Sequence, residues 1–219
     1  MSDQPQRLDG DLSAMLAVLT TEHFTLQTAR SSTVAETVGR AGMYLTTVST
    51  TLVALAFAGN VTDFGAAFTV FGLVALLSLL FVGFVTFQRV VQVSIDDIAA
   101  AQRINRVRRR YLELLPGLSS YLEQPAESDD ASTVLREGGV RPGQWQLILT
   151  VAGMVGVINS VIVGVLIGSV VVMLVDALWL AVTLGVLVFL GAVLIHHRVQ
   201  LAWRTSVPSP LPPLPDRTG

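Results

Sequence analysis

Cysteine and lysine are both missing from this 219-residue chain, and only 14% of its residues are charged. Without cysteine there can be no disulfide, no thiolate nucleophile and no cysteine-ligated metal. The fourteen basic residues are therefore all arginine, a bias that fits a GC-rich bacterial genome better than a functional demand. An ordinary soluble domain carries about 25% charged residues, so the deficit must sit in long uncharged segments. A net charge of −2 argues against nucleic acid as the main partner. What is abundant is hydrocarbon: 52% of residues are in the hydrophobic set and the mean hydropathy is +0.63. These figures describe an all-α integral membrane protein.

Between Arg40 and Arg89 the only acidic or basic residue is Asp63, and between Arg141 and His196 it is Asp176. Each stretch holds two apolar runs divided by one acidic turn. About 20 apolar residues cross a hydrocarbon core of about 30 Å. Four transmembrane helices are therefore expected at Gly42–Ala58, Gly65–Phe87, Trp145–Leu174 and Ala177–Ile195. The expected organisation is an amphipathic segment at 1–41, spans one and two within 42–87, a helical loop at 88–144, spans three and four within 145–195, and a tail at 196–219.

Arginine placement gives the orientation, because cytoplasmic loops carry the basic excess. Three arginines precede the first span, eight lie between the second and third, and three follow the fourth. The turns Gly59–Phe64 and Val175–Asp176 contain none. Both termini and the long loop are thus expected in the cytoplasm of a bacterium, with the spans in its inner membrane. Tyr44 and Trp145 fall at inner boundaries and Trp179 near an outer one, where amphipathic rings favour the headgroup layer. Residues 1–20 lack the basic start and apolar core of a secretory signal, so the first span is expected to direct insertion.

Outside the spans, Leu12, Met15, Leu16, Leu19, His23 and Leu26 recur at three- and four-residue steps, marking one face of a helix that Asp9 or Asp11 can cap. Nothing interrupts the chain between Phe84 and Leu115, so the second helix should run on until Pro116-Gly117 stops it. Its positions Val91, Ile95, Ile98, Ile104, Val107, Tyr111, Leu114 and Leu118 approximate a heptad seam. The N-terminal helix is the economical cover for that seam, and a neighbouring subunit is the other. Glu123–Gly143 reads as an acidic loop with a short helix starting at Asp129-Asp130. The tail from Val207 holds five of the nine prolines, including a Pro210–Pro213 PxxP spacing, and reads as extended.

Ala152, Gly156, Ser160, Gly164 and Gly168 place small residues at strict four-residue intervals along the third span. Such stripes let helix backbones approach closely, either within one subunit or between copies in a homo-oligomer. A shorter stripe, Ala177, Ala181 and Gly185, can face it. Asn159 lies near the middle of the same span, where an unpaired amide is costly. It can bond a hydroxyl of the first span or line a polar pathway. Thr46, Thr47, Ser49, Thr50 and Thr51 make that first span hydroxyl-rich, although such hydroxyls also bond their own helix carbonyls.

Arg103, Arg106, Arg108, Arg109 and Arg110 form the densest basic cluster. Guanidinium groups bind phosphate through paired hydrogen bonds, so an anionic lipid or phosphate-bearing ligand is one reading; a solvated face that enforces topology is the other. Asp96, Asp97 and Glu113 can neutralise part of it. Adjacent His196 and His197 point about 100° apart and cannot share a metal as an i,i+4 pair can. No metal or cofactor is expected, and with no HExxH, GxSxG or Walker loop and no carboxylate inside a span, neither is catalysis.

The segments TTEHFTLQTARS (20–31), TLVALAFAGN (51–60), RINRVRRRYLELLPGLSSYL (103–122) and RPGQWQLILT (141–150) resemble an uncharacterised family of four-span membrane proteins of high-GC bacteria. The resemblance covers most of the chain except the tail and implies a four-span fold, with no activity or functional residue attached. A looser likeness is to small bacterial membrane effector domains with an amphipathic helix before paired spans. The expected function is a non-enzymatic membrane protein that self-assembles through its third span and docks or senses through its cytoplasmic helices. A channel-like or membrane-disrupting effector is the alternative, and a membrane enzyme comes after it.

Overall fold

The computed structural model describes residues 3–121 and 147–205. Four long helices account for almost all of it: α1 (Asp3–Val61), α2 (Ala66–Leu114), α3 (Val151–Val175) and α4 (Leu178–Thr205), with a 3-10 turn at Pro116–Ser120. The protein is all-helical, with no strand among the described residues, and all four helices are long and apolar enough to cross a membrane. Trp145, the acidic segment around Asp129-Asp130 and the proline-rich tail lie outside the described residues.

Helix boundaries differ from expectation where capping chemistry overrides hydropathy. α1 starts at Asp3, before Asp9 and Asp11, because Pro5 falls in the first turn, where its missing N–H has no partner to lose. α3 begins at Val151 rather than at Trp145. Thr150 has an extended backbone, and its hydroxyl accepts from the Gly153 amide at 3.1 Å while donating to the Leu147 carbonyl at 2.7 Å. That cap starts the helix and folds the preceding turn back over Gly153, where any side chain would strike the Leu147 and Ile148 carbonyls. α4 continues past Ile195 to Thr205, since neither glycine nor proline interrupts the chain between Gly191 and Pro208.

Two short turns join the helices in pairs. Asp63 and Phe64 are left-handed, with φ of 48° and 55°, and the Phe64 ring occupies the space that a Gly59 side chain would need. Asp176 ends α3 in the left-handed conformation, φ 49°, a position usually given to glycine and next most readily to Asn or Asp.

The chain divides into two compact units. Among the described residues the span unit comprises 35–94 and 147–205. Its interior is built from Ala41, Tyr44, Leu79, Phe87, Val90, Val155, Ile162 and Leu166, while Met43, Phe57, Phe81 and Leu187 are among many large apolar side chains left exposed. In water such a surface would aggregate; against lipid it is the expected exterior. Near the end of this unit Glu36 accepts from Arg40 at 2.8 Å and from Arg89 at 2.9 Å. The bonds from Arg89 and then Arg40 hold the Glu36 carboxyl below its ordinary range.

Among the described residues the hairpin unit comprises 3–34 and 95–121. Here α1 and α2 pair along the expected seam. Leu26 is buried with Ile104 and Val107, and Leu19 and Tyr111 pack on that cluster. The pair is tied at its edges by Arg30 to Asp97 at 3.0 Å and by the Tyr111 hydroxyl to Thr20 Oγ1 at 3.1 Å.

Candidate functional site

One of the two most enclosed polar side chains of the span unit is Asn159, 1% exposed on α3. Its partner is the Tyr44 hydroxyl of α1, which donates to Asn159 Oδ1 at 2.6 Å and is equally buried. The bond therefore reaches a hydroxyl of the first span, but not one of the threonine-serine run. Thr46, Thr47 and Thr51 instead donate to Gly42, Met43 and Thr47 carbonyls of their own helix. Thr46, Thr47, Ser49 and Thr50 are all exposed. Among the described residues Asn159 Nδ2 has no hydrogen-bond partner. Interhelical hydrogen bonds of this kind contribute about 0.6 kcal/mol on average and at most about 2 kcal/mol.

The third wall of this node is Gly83 of α2. A methyl group there would overlap the Asn159 amide and approach the Tyr44 hydroxyl to 2.8 Å. Glycine is thus required by close approach, despite its cost of about 1 kcal/mol in a helix interior. Sequence reasoning missed Gly83. Its signal was a lone glycine within the apolar run of the second span. Tyr44, read as a boundary aromatic, carried no signal of its polar partner.

One helical step along α3, Ser160 is fully buried and donates to the Gly156 carbonyl at 2.7 Å. His196 Nδ1 lies 3.2 Å from Ser160 Oγ and 2.8 Å from the Ala192 carbonyl. Since the serine proton is already committed, the arrangement fits an Nδ1–H shared between these two oxygens. The Phe87 ring meets His196 edge-on at 4.7 Å, and Gly156 leaves room for both rings. A small pocket of about 10 Å³ alongside is lined by His196, His197, Gln200 and Gly153, among others, and is about the size of one water. No three His, Asp or Glu among the described residues are placed to hold a metal ion.

The small-residue stripe is placed against α4 of the same chain. Ala152, Gly156, Ser160 and Gly164 are buried. A side chain at Gly164 would lie 2.7 Å from the Gly185 carbonyl, and one at Gly168 would lie 3.3 Å from that of Ala181. Beyond this crossing the two helices leave an open apolar furrow of about 460 Å³, floored by Gly164, Gly168 and Gly185 and rimmed by Val161, Val165, Val172, Val182 and Val186. Its one hydroxyl, Ser169, is bonded to the Val165 carbonyl.

The arginine cluster belongs to the hairpin unit. Arg103 is exposed, whereas Arg106, Arg108, Arg109 and Arg110 are half-buried. Arg110 pairs with Glu113 at 2.6 Å, and Arg106, Arg108 and Arg109 are each engaged in an interaction. Most of the cluster is therefore committed within the fold.

The fold defines a class, all-helical with four candidate membrane spans, and the node and stripe together bring all four of those helices into contact. The chain matches no family model, and no curated protein or solved structure is significantly similar to it.

Proposed function

We propose that the protein acts without catalysis, as an integral membrane protein of the bacterial inner membrane that assembles with copies of itself along α3 and docks or senses through its hairpin unit. In this reading both termini lie in the cytoplasm, as the arginine distribution demands. The observation that carries self-assembly is the furrow lined by Gly164, Gly168 and Gly185, where Gly168 of the stripe and Gly185 opposite it are only half-buried. Helices in lipid associate through close packing rather than hydrophobic burial, and a glycine floor between stiff valine rims receives a ridge from a second helix.

Val165 is the test position, because it stands on the rim and is 49% exposed. Val165→Trp should leave the four-helix subunit folded and weaken its association by about 1–3 kcal/mol, roughly 5-fold to 150-fold. Native mass spectrometry of the protein released from lipid would read the subunit count. An unchanged distribution of oligomers sinks assembly through this face.

One observation favours a second reading, that of a channel-like effector. The exposed hydroxyls of α1, at Thr46, Thr47, Ser49 and Thr50, could line a pathway between copies, whereas Asn159 is occupied by Tyr44. Reconstituted liposomes should then leak ions only where oligomers form; ion-tight vesicles holding the assembled protein exclude it. The arginine cluster supports an anionic lipid or phosphate partner chiefly through Arg103, its most exposed member.

A further inference from the structure

The seam of the hairpin unit contains one residue that neither packing nor the proposed assembly explains. His23 follows Leu19 and precedes Leu26 on the face of α1 that meets α2, so an apolar seam is interrupted by an imidazole. Its ring lies between Phe24, at 6.4 Å, and Tyr111 of α2, at 6.3 Å, both edge-on. Nδ1 is buried and, among the described residues, has no hydrogen-bond partner. The groups that face it from α2 are the Arg108 guanidinium and the Tyr111 ring, and its neighbour Glu22 on α1 is exposed.

We propose that His23 is an acid-operated release for the α1–α2 pair of the hairpin unit. Protonation places a cation in the seam beside Arg108 and makes both ring nitrogens donors, with no acceptor at the buried Nδ1. Both penalties vanish when the helices part and the ring reaches water.

Burial first, and Arg108 second, hold the paired ring below the ordinary histidine value of 6.5. The sign follows from linkage: the parted state binds the proton more tightly, so pairing is complete above about pH 6.5 and weakens as pH falls below it. The loss continues until the paired ring itself titrates, at about tenfold in the pairing equilibrium for each pH unit crossed. Histidine is the side chain whose ordinary titration falls in this range, which lies above the usual carboxylate range. The inference does not depend on self-assembly or on either functional reading above.

The test uses the full chain in lipid, which contains no native cysteine. Spin labels at Val18→Cys and Leu115→Cys, both at exposed positions, report the separation of α1 and α2 by double electron–electron resonance. Between about pH 7.5 and about pH 5 the short-distance population should shrink reversibly, and His23→Gln should hold it constant. His23→Leu, which restores the apolar seam, serves as the second variant and should stay paired throughout. An acid-invariant wild-type distribution overturns the proposal. So does a shift in either variant as large as that of the wild type.

Discussion

Gly164→Leu is expected to produce a large loss of stability in the span unit. A side chain at this position meets the Gly185 carbonyl at 2.7 Å and Phe189 Cβ at 3.1 Å, and the first of these is backbone that cannot rotate away. α3 and α4 must then separate along their whole crossing, because the same contact brings Gly168 against Ala181. Overpacking a formed core typically costs about 1–3 kcal/mol, and a leucine against backbone belongs at or above the top of that range. Thermal unfolding in detergent should show a strongly lowered midpoint for this variant. Gly191→Leu, on the same α4 but with no described atom within 4 Å, should unfold like the wild type. Equal midpoints for the two variants would show that this crossing does not hold the fold. Gly164 is therefore a poor probe of oligomerisation, since its replacement damages the subunit first. Val165 separates the two effects.

The second large effect is expected at Gly83→Ala. The added methyl displaces the Asn159 amide from the Tyr44 hydroxyl and leaves two buried polar groups unpaired inside an apolar unit. Loss of the bond, exposure of the orphaned groups to hydrocarbon and local overpacking together should cost about 2–4 kcal/mol. A double-mutant cycle isolates the cause. In an Asn159→Ala background the methyl meets a smaller neighbour, so Gly83→Ala should cost at least about 1 kcal/mol less there. Strict additivity would mean that the two residues do not share a site. Tyr44→Phe should cost less than either, because it removes the hydroxyl without moving a helix.

Several elements of this architecture were legible from residue order. The turn at Asp63 and the turn at Asp176 are the lone acidic residues of their windows, and both interrupt helices where expected. The seam of Leu19 and Leu26 against Ile104, Val107 and Tyr111 was legible because three- and four-residue spacing defines a face, and a long apolar face must be covered. The helix starts were less so. Thr150 acts through local side-chain bonds and Pro5 through an absent N–H, neither of which hydropathy registers. The node was the least legible. That Asn159 needs a partner follows from its depth, but five hydroxyls of the Thr46–Thr51 run were nearer in kind than the tyrosine that supplies it. Which side chain arrives depends on the rotation of α1 about its own axis, and that rotation is set by Ala41 and Tyr44 facing inward together.

The sequence by itself determined that four helices are long and apolar enough to cross a membrane, and which residues are too small or too polar to face lipid without consequence. Those properties are local, because hydropathy and helical period are summed over neighbours along one chain. Only the tertiary structure decided that the third-span stripe meets Gly185 and Ala181, that Gly83 opens the space in which Tyr44 meets Asn159, and that His196 turns inward onto Ser160 and Phe87. Each of these is a meeting of two helices at contact distance. It depends on mutual rotation and crossing, which packing over the whole interface selects and no single helix encodes.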